Sequence, residues 1–297
     1  MTLNAVGPGI ADLVERTLRE DLGGDLSPEA DITTRWTLDG ETPARARILA
    51  RSRGVLAGID IACAVFTRVD PALTLRRRGV DGDTVDVDDS VLEIAGSAAA
   101  ILTGERTALN FLQQLSGVAT LTRAFVDTVI GTGAQITDTR KTVPGLRDPQ
   151  KHAVRCGGGV SHRSGLHDAV LIKENHVTAA GGVSEAVRRA RLGAQGAGRP
   201  DTRIMCEAED LDQVRALVAK GPQLAPDRIL LDNMSPELMR QCVEIVRATT
   251  PDVELEATGN IDLSTVRAAA ESGVNLISVG ALTHSAPALD LSLLFIH

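Results

Sequence analysis

The chain has 297 residues, of which 43% are hydrophobic and 24% charged, and its formal net charge is -8. That length holds one large domain or two ordinary ones, and the acidic balance with only 2% aromatic residues argues against a nucleic-acid surface, which needs a basic face and stacking rings. Cys63, Cys156, Cys206 and Cys242 form no CxxC pair, so neither a zinc site nor a disulfide framework is expected, and a reducing cytoplasm is the default compartment.

Residues 9–22 place Ile10, Leu13, Val14, Leu18 and Leu22 at helical spacing, after a start with no basic stretch leading into an apolar core, so no signal peptide is expected. A glycine-rich turn and the DITT string Asp31–Thr34 follow. Residues 44–56 alternate small or apolar residues with Arg as a half-buried strand does, and 59–69 again reads as a helix. Short strands are expected at 73–80, 84–87 and 91–95, joined by turn chemistry such as Asp81-Gly82-Asp83. This first stretch reads as a compact α+β unit with an antiparallel sheet.

From Thr103 the texture changes. Apolar residues at 109, 112, 115, 118, 121, 125 and 129 predict one long helix or a broken pair, and a domain boundary falls near residues 105 to 115. Beyond it, strands at 135–138, 169–173, 203–207, 228–232, 253–256 and 275–279 alternate with helices such as 184–191, 211–218, 236–247 and 264–272. That alternation predicts a parallel α/β sheet or barrel, with a core of Ala, Val, Leu and Ile. The longest uncharged run, 274–289, is broken by Gly, His, Pro and Ser, so no membrane span is expected.

Nearly every predicted strand ends on a functional residue type: Asp138-Thr139-Arg140-Lys141, Lys173, Glu207, Asp232-Asn233, Glu256 with Thr258-Gly259, and Gly280. In α/β barrels those ends carry the active site. The stretch from Asp138 to His176 holds seven cations against four acids, with four of the chain's six histidines and the triple glycine Gly157–Gly159. A basic island on an acidic protein points to a pocket for a small polyanion, a salt-bridged surface loop being the alternative.

Thr258-Gly259-Asn260 and Gly280 through Ser285 follow the last two strands, where small residues let backbone N–H groups approach a phosphate. No GxGxxG follows an early strand and no GxxxxGK[ST] occurs, which disfavours dinucleotide and P-loop sites. Glu207 and Asp232 end neighbouring predicted strands and suit Mg²⁺ or ribose hydroxyls. Arg140, His162, Arg163 and Lys173 would face a carboxylated substrate. His152 and His167 read as structural, and Cys156 has no oriented base beside it in sequence, so it is not taken as a nucleophile.

Longer strings bind these pieces together: Glu105-Arg106…Leu109-Asn110, Ser116-Gly117…Ala119-Thr120, DTRKTVPGLR at 138–147, Gly157–Gly159…His162-Arg163…Gly165-Leu166, Leu171-Ile172-Lys173…Asn175-His176, Leu230–Asn233 and Val279–Ser285, with Gly54–Gly58 and DITT earlier. Over about two thirds of its length the chain resembles the quinolinate phosphoribosyltransferases, also called carboxylating nicotinate-nucleotide pyrophosphorylases.

The resemblance implies the type II phosphoribosyltransferase architecture. An N-terminal α/β sandwich over residues 1–112, which the tail 286–297 could join, would accompany an incomplete TIM-like α/β barrel over 113–285. It implies an Mg²⁺-dependent enzyme (EC 2.4.2.19) of de novo NAD biosynthesis. That enzyme joins phosphoribosyl pyrophosphate to quinolinate and releases pyrophosphate and carbon dioxide to give nicotinate mononucleotide. It implies a homodimer or higher assembly in which Arg106 of one subunit enters the neighbour's site. Quinolinate would then meet Arg106, Arg140, His162, Arg163 and Lys173. Phosphoribosyl pyrophosphate would meet Lys141, Glu207, Asp232, Thr258, Gly259, Gly280 and His284, with Lys141, Glu207 and Asp232 catalytic and Glu207 and Asp232 at the metal. Partners are these small molecules, with no nucleic acid and no membrane.

Two departures stand out. Met205 occupies a position where the family often has an acid, and Asn260 follows Gly259 where many members have a second glycine. Other readings are a relative acting on a different aromatic carboxylate such as nicotinate, a catalytically silent homologue, and an aldolase using Lys173 as a Schiff base. The glycine-bearing loop 193–200 is a candidate lid.

Overall fold

The computed structural model describes residues 8–24, 26–38 and 42–296. In chain order it contains α1 (Pro8–Asp21), α2 (Ile32–Thr37), β1 (Pro43–Ala50), β2 (Gly54–Val55), α3 (Ile59–Val69), β3 (Thr74–Arg77), β4 (Thr84–Val85), β5 (Ser90–Ser97) and α4 (Ala98–Thr128). There follow β6 (Gln135–Thr137), α5 (Arg147–Cys156), β7 (Val170–Ile172), α6 (Glu174–Ala180), α7 (Val183–Gly196), β8 (Ile204–Ala208), α8 (Leu211–Val218), β9 (Arg228–Asp232) and α9 (Pro236–Thr249). The last elements are β10 (Glu254–Thr258), α10 (Val266–Ala270), β11 (Leu276–Ser278), α11 (Ala281–His284) and β12 (Leu291–Ile296). The long helical pattern resolves as one unbroken helix, α4, of 31 residues. The expected 264–272 helix is only the five-residue α10, and the first half of the segment read as a loop at 193–200 is the end of α7.

The chain divides into two compact units. The first comprises residues 1–123, 144–158 and 285–297. Its sheet has the order β12-β1-β5-β3, antiparallel throughout, so the last strand of the chain pairs with one of the first. β1 turns Ala46, Ile48 and Ala50 inward between exposed or half-buried neighbours, the period-two pattern of a one-sided sheet. Leu13, Val14 and Leu18 of α1, Phe66 of α3 and Ile101, Leu109, Leu112 and Leu115 of α4 are buried with it.

Two hydroxyls of α4 accept from backbone N–H groups in and just after β2. Ser116 Oγ accepts from the Ala57 N–H at 3.0 Å, and Thr120 Oγ1 accepts from the Val55 N–H at 2.8 Å. Asp31 caps α2, accepting from the Thr34 N–H and hydroxyl and from the Thr103 hydroxyl. The DITT and SG..AT strings are therefore structural in this unit.

The second unit comprises residues 124–143 and 159–284. Its six parallel strands run in the order β6-β11-β10-β9-β8-β7. From β7 to β11 each strand pairs with the next in sequence, and β6 returns beside β11, leaving an opening between β6 and β7. This is the incomplete α/β barrel expected from the sequence. All six strands expected from sequence are present. The strands are buried on both faces, as in Ile204–Cys206 and Ile229–Leu231, because helices cover the outside through Val187, Val214, Leu217, Met239, Val246 and Val266. Asp210 caps α8 by accepting from the Gln213 N–H, and Ser235 followed by Pro236 starts α9.

Candidate active site

A parallel sheet sends all its strand C-termini to one edge, and here that edge surrounds a cavity of about 520 Å³. Arg140 and Lys141 reach it from beyond β6, Lys173 from β7, Glu207 from β8, Asp232 and Asn233 from β9, and Thr258, Gly259 and Asn260 from β10. His162 and Arg163, on the segment before β7, complete the basic side. Nine of the twelve residues singled out from sequence line the cavity wall. A β-carbon on Gly280 would stand 3.1 Å from both His284 Nε2 and Lys141 Cδ, so the two side chains press together over that glycine. Gly280 and His284 sit behind Lys141, and Arg106 lies exposed on α4 in the first unit.

The basic wall is under electrostatic tension. Arg163 donates from one terminal nitrogen to the Ala169 carbonyl at 3.0 Å, while its Nε and that of Arg140 are buried without a hydrogen-bond partner among the described residues. Burial holds the Arg163 guanidinium below its usual range, and the charge of Arg140 adds to that against the pull of Asp168 and Glu207. Two neighbouring guanidiniums that repel each other form a pre-built anion site.

His162 is oriented by three contacts. Its backbone N–H donates to Asp138 Oδ1 at 2.9 Å, and its Nδ1 accepts from the Arg163 N–H at 2.8 Å. With Nδ1 an acceptor, Nε2 carries the proton and faces Glu256 Oε2 at 3.4 Å. Glu256 is fully buried and also receives Arg228 Nη1 at 2.6 Å, while its other oxygen has no hydrogen-bond partner among the described residues. Burial pushes this carboxyl up, but the hydrogen bond from His162 and the charge of Arg228 outweigh it, so it lies below the usual range. Sequence reading placed Glu256 only among strand-end residues. Its i, i+2 relation to Glu254 and the buried Arg228 on the adjacent strand were the available signal.

On the acidic side, Lys173 Nζ donates to Glu207 Oε1 at 2.9 Å. An ion-paired ammonium is the opposite of the apolar setting an imine-forming lysine needs, which removes the aldolase reading. Asp232 accepts from Asn233 Nδ2 at 3.1 Å, and Asn260 Nδ2 donates to Asn233 Oδ1 at 3.0 Å. Asn233 and Asn260 both take left-handed backbone, with φ of 52° and 50°. Between them Gly259 has φ +90°, and a β-carbon there would stand 2.3 Å from Asn233 Oδ1. The two asparagines, which sequence reading left without roles, thus hold Asp232 in place.

His167 and His176 of the basic stretch serve the fold. His176 Nδ1 accepts from the Lys173 N–H at 3.1 Å at the start of α6, and the His167 ring packs over Gly165.

Comparison with known proteins decides the family. The quinolinate phosphoribosyl transferase C-terminal domain matches residues 118–294 and the N-terminal domain of the same family matches residues 31–116. The chain belongs to the quinolinate phosphoribosyl transferase family. Within it, the chain is 41% identical over 284 residues to the nicotinate-nucleotide pyrophosphorylase (carboxylating) of Mycobacterium leprae, covering 95% of this chain and 97% of that one. It is 39% identical to the probable nicotinate-nucleotide pyrophosphorylase (carboxylating) of Bacillus subtilis, covering 95% and 91%. The solved nicotinate-nucleotide pyrophosphorylase of Francisella tularensis superposes with a TM-score of 0.88 at 36% identity, covering 100% of this chain and 99% of that one. Against the pattern of this quinolinate phosphoribosyl transferase family, Met205 is buried in β8 and does not line the cavity, whereas Asn260 lines it and bonds to Asn233.

Proposed function

We propose that the chain transfers the phosphoribosyl group of phosphoribosyl pyrophosphate to quinolinate, giving nicotinate mononucleotide, pyrophosphate and carbon dioxide. The observation that carries this reading is the Arg140–Arg163 pair, half-buried side by side with buried, unpartnered Nε atoms beside His162. A monocarboxylate would leave part of that charge buried and uncompensated; two adjacent carboxylates match it.

The chemistry asks little of the protein beyond placement and charge. The ring nitrogen attacks C1 of the ribosyl group as its bond to pyrophosphate oxygen breaks. The nitrogen, now cationic, withdraws the electrons of the adjacent ring-carboxylate bond, carbon dioxide leaves, and the ring carbon takes a proton. Arg140, Arg163, His162 and Lys173 hold the dicarboxylate, while Glu207 and Asp232 face the ribose hydroxyls and the developing positive charge. Thr258, Gly259, Gly280, His284 and Lys141 take the phosphates.

Mg²⁺ fits the donors present. Glu207 and Asp232 offer carboxylate oxygens from adjacent strands, and a second cavity of about 390 Å³ beside them is lined by Glu207, Glu209, Asp232, Gln213 and Asn175. Two carboxylates suffice for Mg²⁺, which keeps waters and phosphate oxygens as its other ligands and supplies neutralising charge to the leaving pyrophosphate.

Arg106 is exposed on α4, where a neighbouring copy in a homodimer could receive it. Four free cysteines suit a reducing cytoplasm, and no helix among the described residues is long and apolar enough to cross a membrane.

The test is product formation from phosphoribosyl pyrophosphate and Mg²⁺ with quinolinate and, in parallel, nicotinate. Nicotinate mononucleotide with stoichiometric carbon dioxide from quinolinate alone is expected. Turnover of nicotinate alone would overturn the reading of the arginine pair.

A further inference from the structure

Outside the cavity, the first unit gathers a second set of chemically competent side chains. Asp81, His152 and Cys156 bring one donor atom each to a common point, all within 4.8 Å of one another. His152 and Cys156 are four residues apart on α5, so the helix turns both to one face. Asp81 comes from the turn between β3 and β4. His152 Nε2 lies 2.7 Å from Asp81 Oδ2 and 3.4 Å from Cys156 Sγ.

We propose that Asp81, His152 and Cys156 form a binding site for one thiophilic divalent cation of the zinc class. The donor set is thiolate, imidazole and carboxylate, the mixture such cations take, and the only cluster of three such donors among the described residues. Tetrahedral zinc with bonds of about 2.3 Å to sulfur and about 2.0 Å to nitrogen sets those two atoms roughly 3.6 Å apart. The observed 3.4 Å is within about 0.2 Å of that. The nitrogen–oxygen edge is shorter than a cation would leave it and opens by a rotation of His152, whose side chain is 48% exposed.

Asp81 is already fixed by the backbone. Its carboxylate accepts from the Gly58 and Ile59 N–H groups at 3.0 Å each, at the start of α3. That anchoring orients a ligand as an outer hydrogen-bond partner does in known metal sites. The cation would replace protons on Sγ and Nε2, releasing them to solvent, and three protein ligands leave a fourth position for water or a small thiol. Neither the phosphoribosyl reaction nor Mg²⁺ at Glu207 and Asp232 needs this site.

The experiment uses the full chain stripped with a chelator and titrated with Co²⁺ and, by competition with a chromophoric chelator, with Zn²⁺. One Co²⁺ per chain with a thiolate-to-cobalt charge-transfer band is expected. Cys156→Ser should abolish the band and weaken Zn²⁺ binding by at least roughly tenfold. It leaves the Asp81 hydrogen bonds intact, so its thermal midpoint without metal should match the parent's. His152→Gln should also weaken Zn²⁺ binding, with its fold checked by circular dichroism. No charge-transfer band in the parent, or Zn²⁺ binding unchanged in Cys156→Ser, overturns the site. A band that survives Cys156→Ser overturns it too, by placing the thiolate elsewhere.

Discussion

Lys173 Nζ lies 2.9 Å from Glu207 Oε1, so a cation assigned to the dicarboxylate and an acid assigned to the ribose are partners before either substrate arrives. The two half-sites share a wall. Lys173→Ala should therefore raise the KM for both quinolinate and phosphoribosyl pyrophosphate and lower kcat/KM by roughly 100-fold, about two charged hydrogen bonds' worth. Steady-state kinetics with each substrate varied in turn checks this; a change confined to quinolinate would make the ion pair incidental.

Arg140→Ala should behave differently. Its guanidinium faces Arg163 and lacks a partner at Nε, so its loss should raise the quinolinate KM by roughly 10- to 100-fold and leave that for phosphoribosyl pyrophosphate nearly unchanged. Equal effects on both would remove it from the dicarboxylate.

Gly259→Ala combines a left-handed backbone at φ +90° with a β-carbon 2.3 Å from Asn233 Oδ1. The expected cost is about 1–3 kcal/mol in urea unfolding, with a fall in activity as Asn233 releases Asp232. Gly221→Ala is the comparison, with φ +79° and nothing within 4 Å, and should cost less and leave activity intact.

Arg228 sits between two acids, with Nε 2.9 Å from Glu254 Oε2 and Nη1 2.6 Å from Glu256 Oε2. Arg228→Met leaves Glu256 charged and buried without its cationic partner, at a cost of about 3–5 kcal/mol. Adding Glu256→Gln should restore part of that stability, read from chemical denaturation of both variants.

Acid should expose the same group. The folded pKa of Glu256 lies below its ordinary 4.5, so its contribution is fully present above that value and is lost as pH falls through the depressed folded one. Glu256→Gln should flatten the fall in stability on the acid side of pH 4.5 while leaving the profile between neutral and pH 6 unchanged. An unaltered acid limb in thermal melts would show that other carboxylates carry it.

Much of this was legible in the chain. The alternation of short apolar runs with amphipathic stretches fixed all six barrel strands, because parallel strands buried on both faces need continuous Val, Ile and Leu. The polar residue closing each run then had to reach one edge, which is why Arg140, Lys173, Glu207 and Asp232 were found as a set. Chemistry at strand ends is local information, and sequence carries it.

What tertiary structure decided is pairing. Whether Lys173 meets a substrate or Glu207, whether Asn260 supports Asn233, and whether the buried Glu256 is held by Arg228 and His162 all depend on side chains brought together from different strands. The same limit hid the approach of Asp81 to His152 and Cys156. The i, i+4 spacing of the last two was visible, but the third donor lies 71 residues before His152. Periodicity dictates which face a residue occupies; only packing dictates what that face meets.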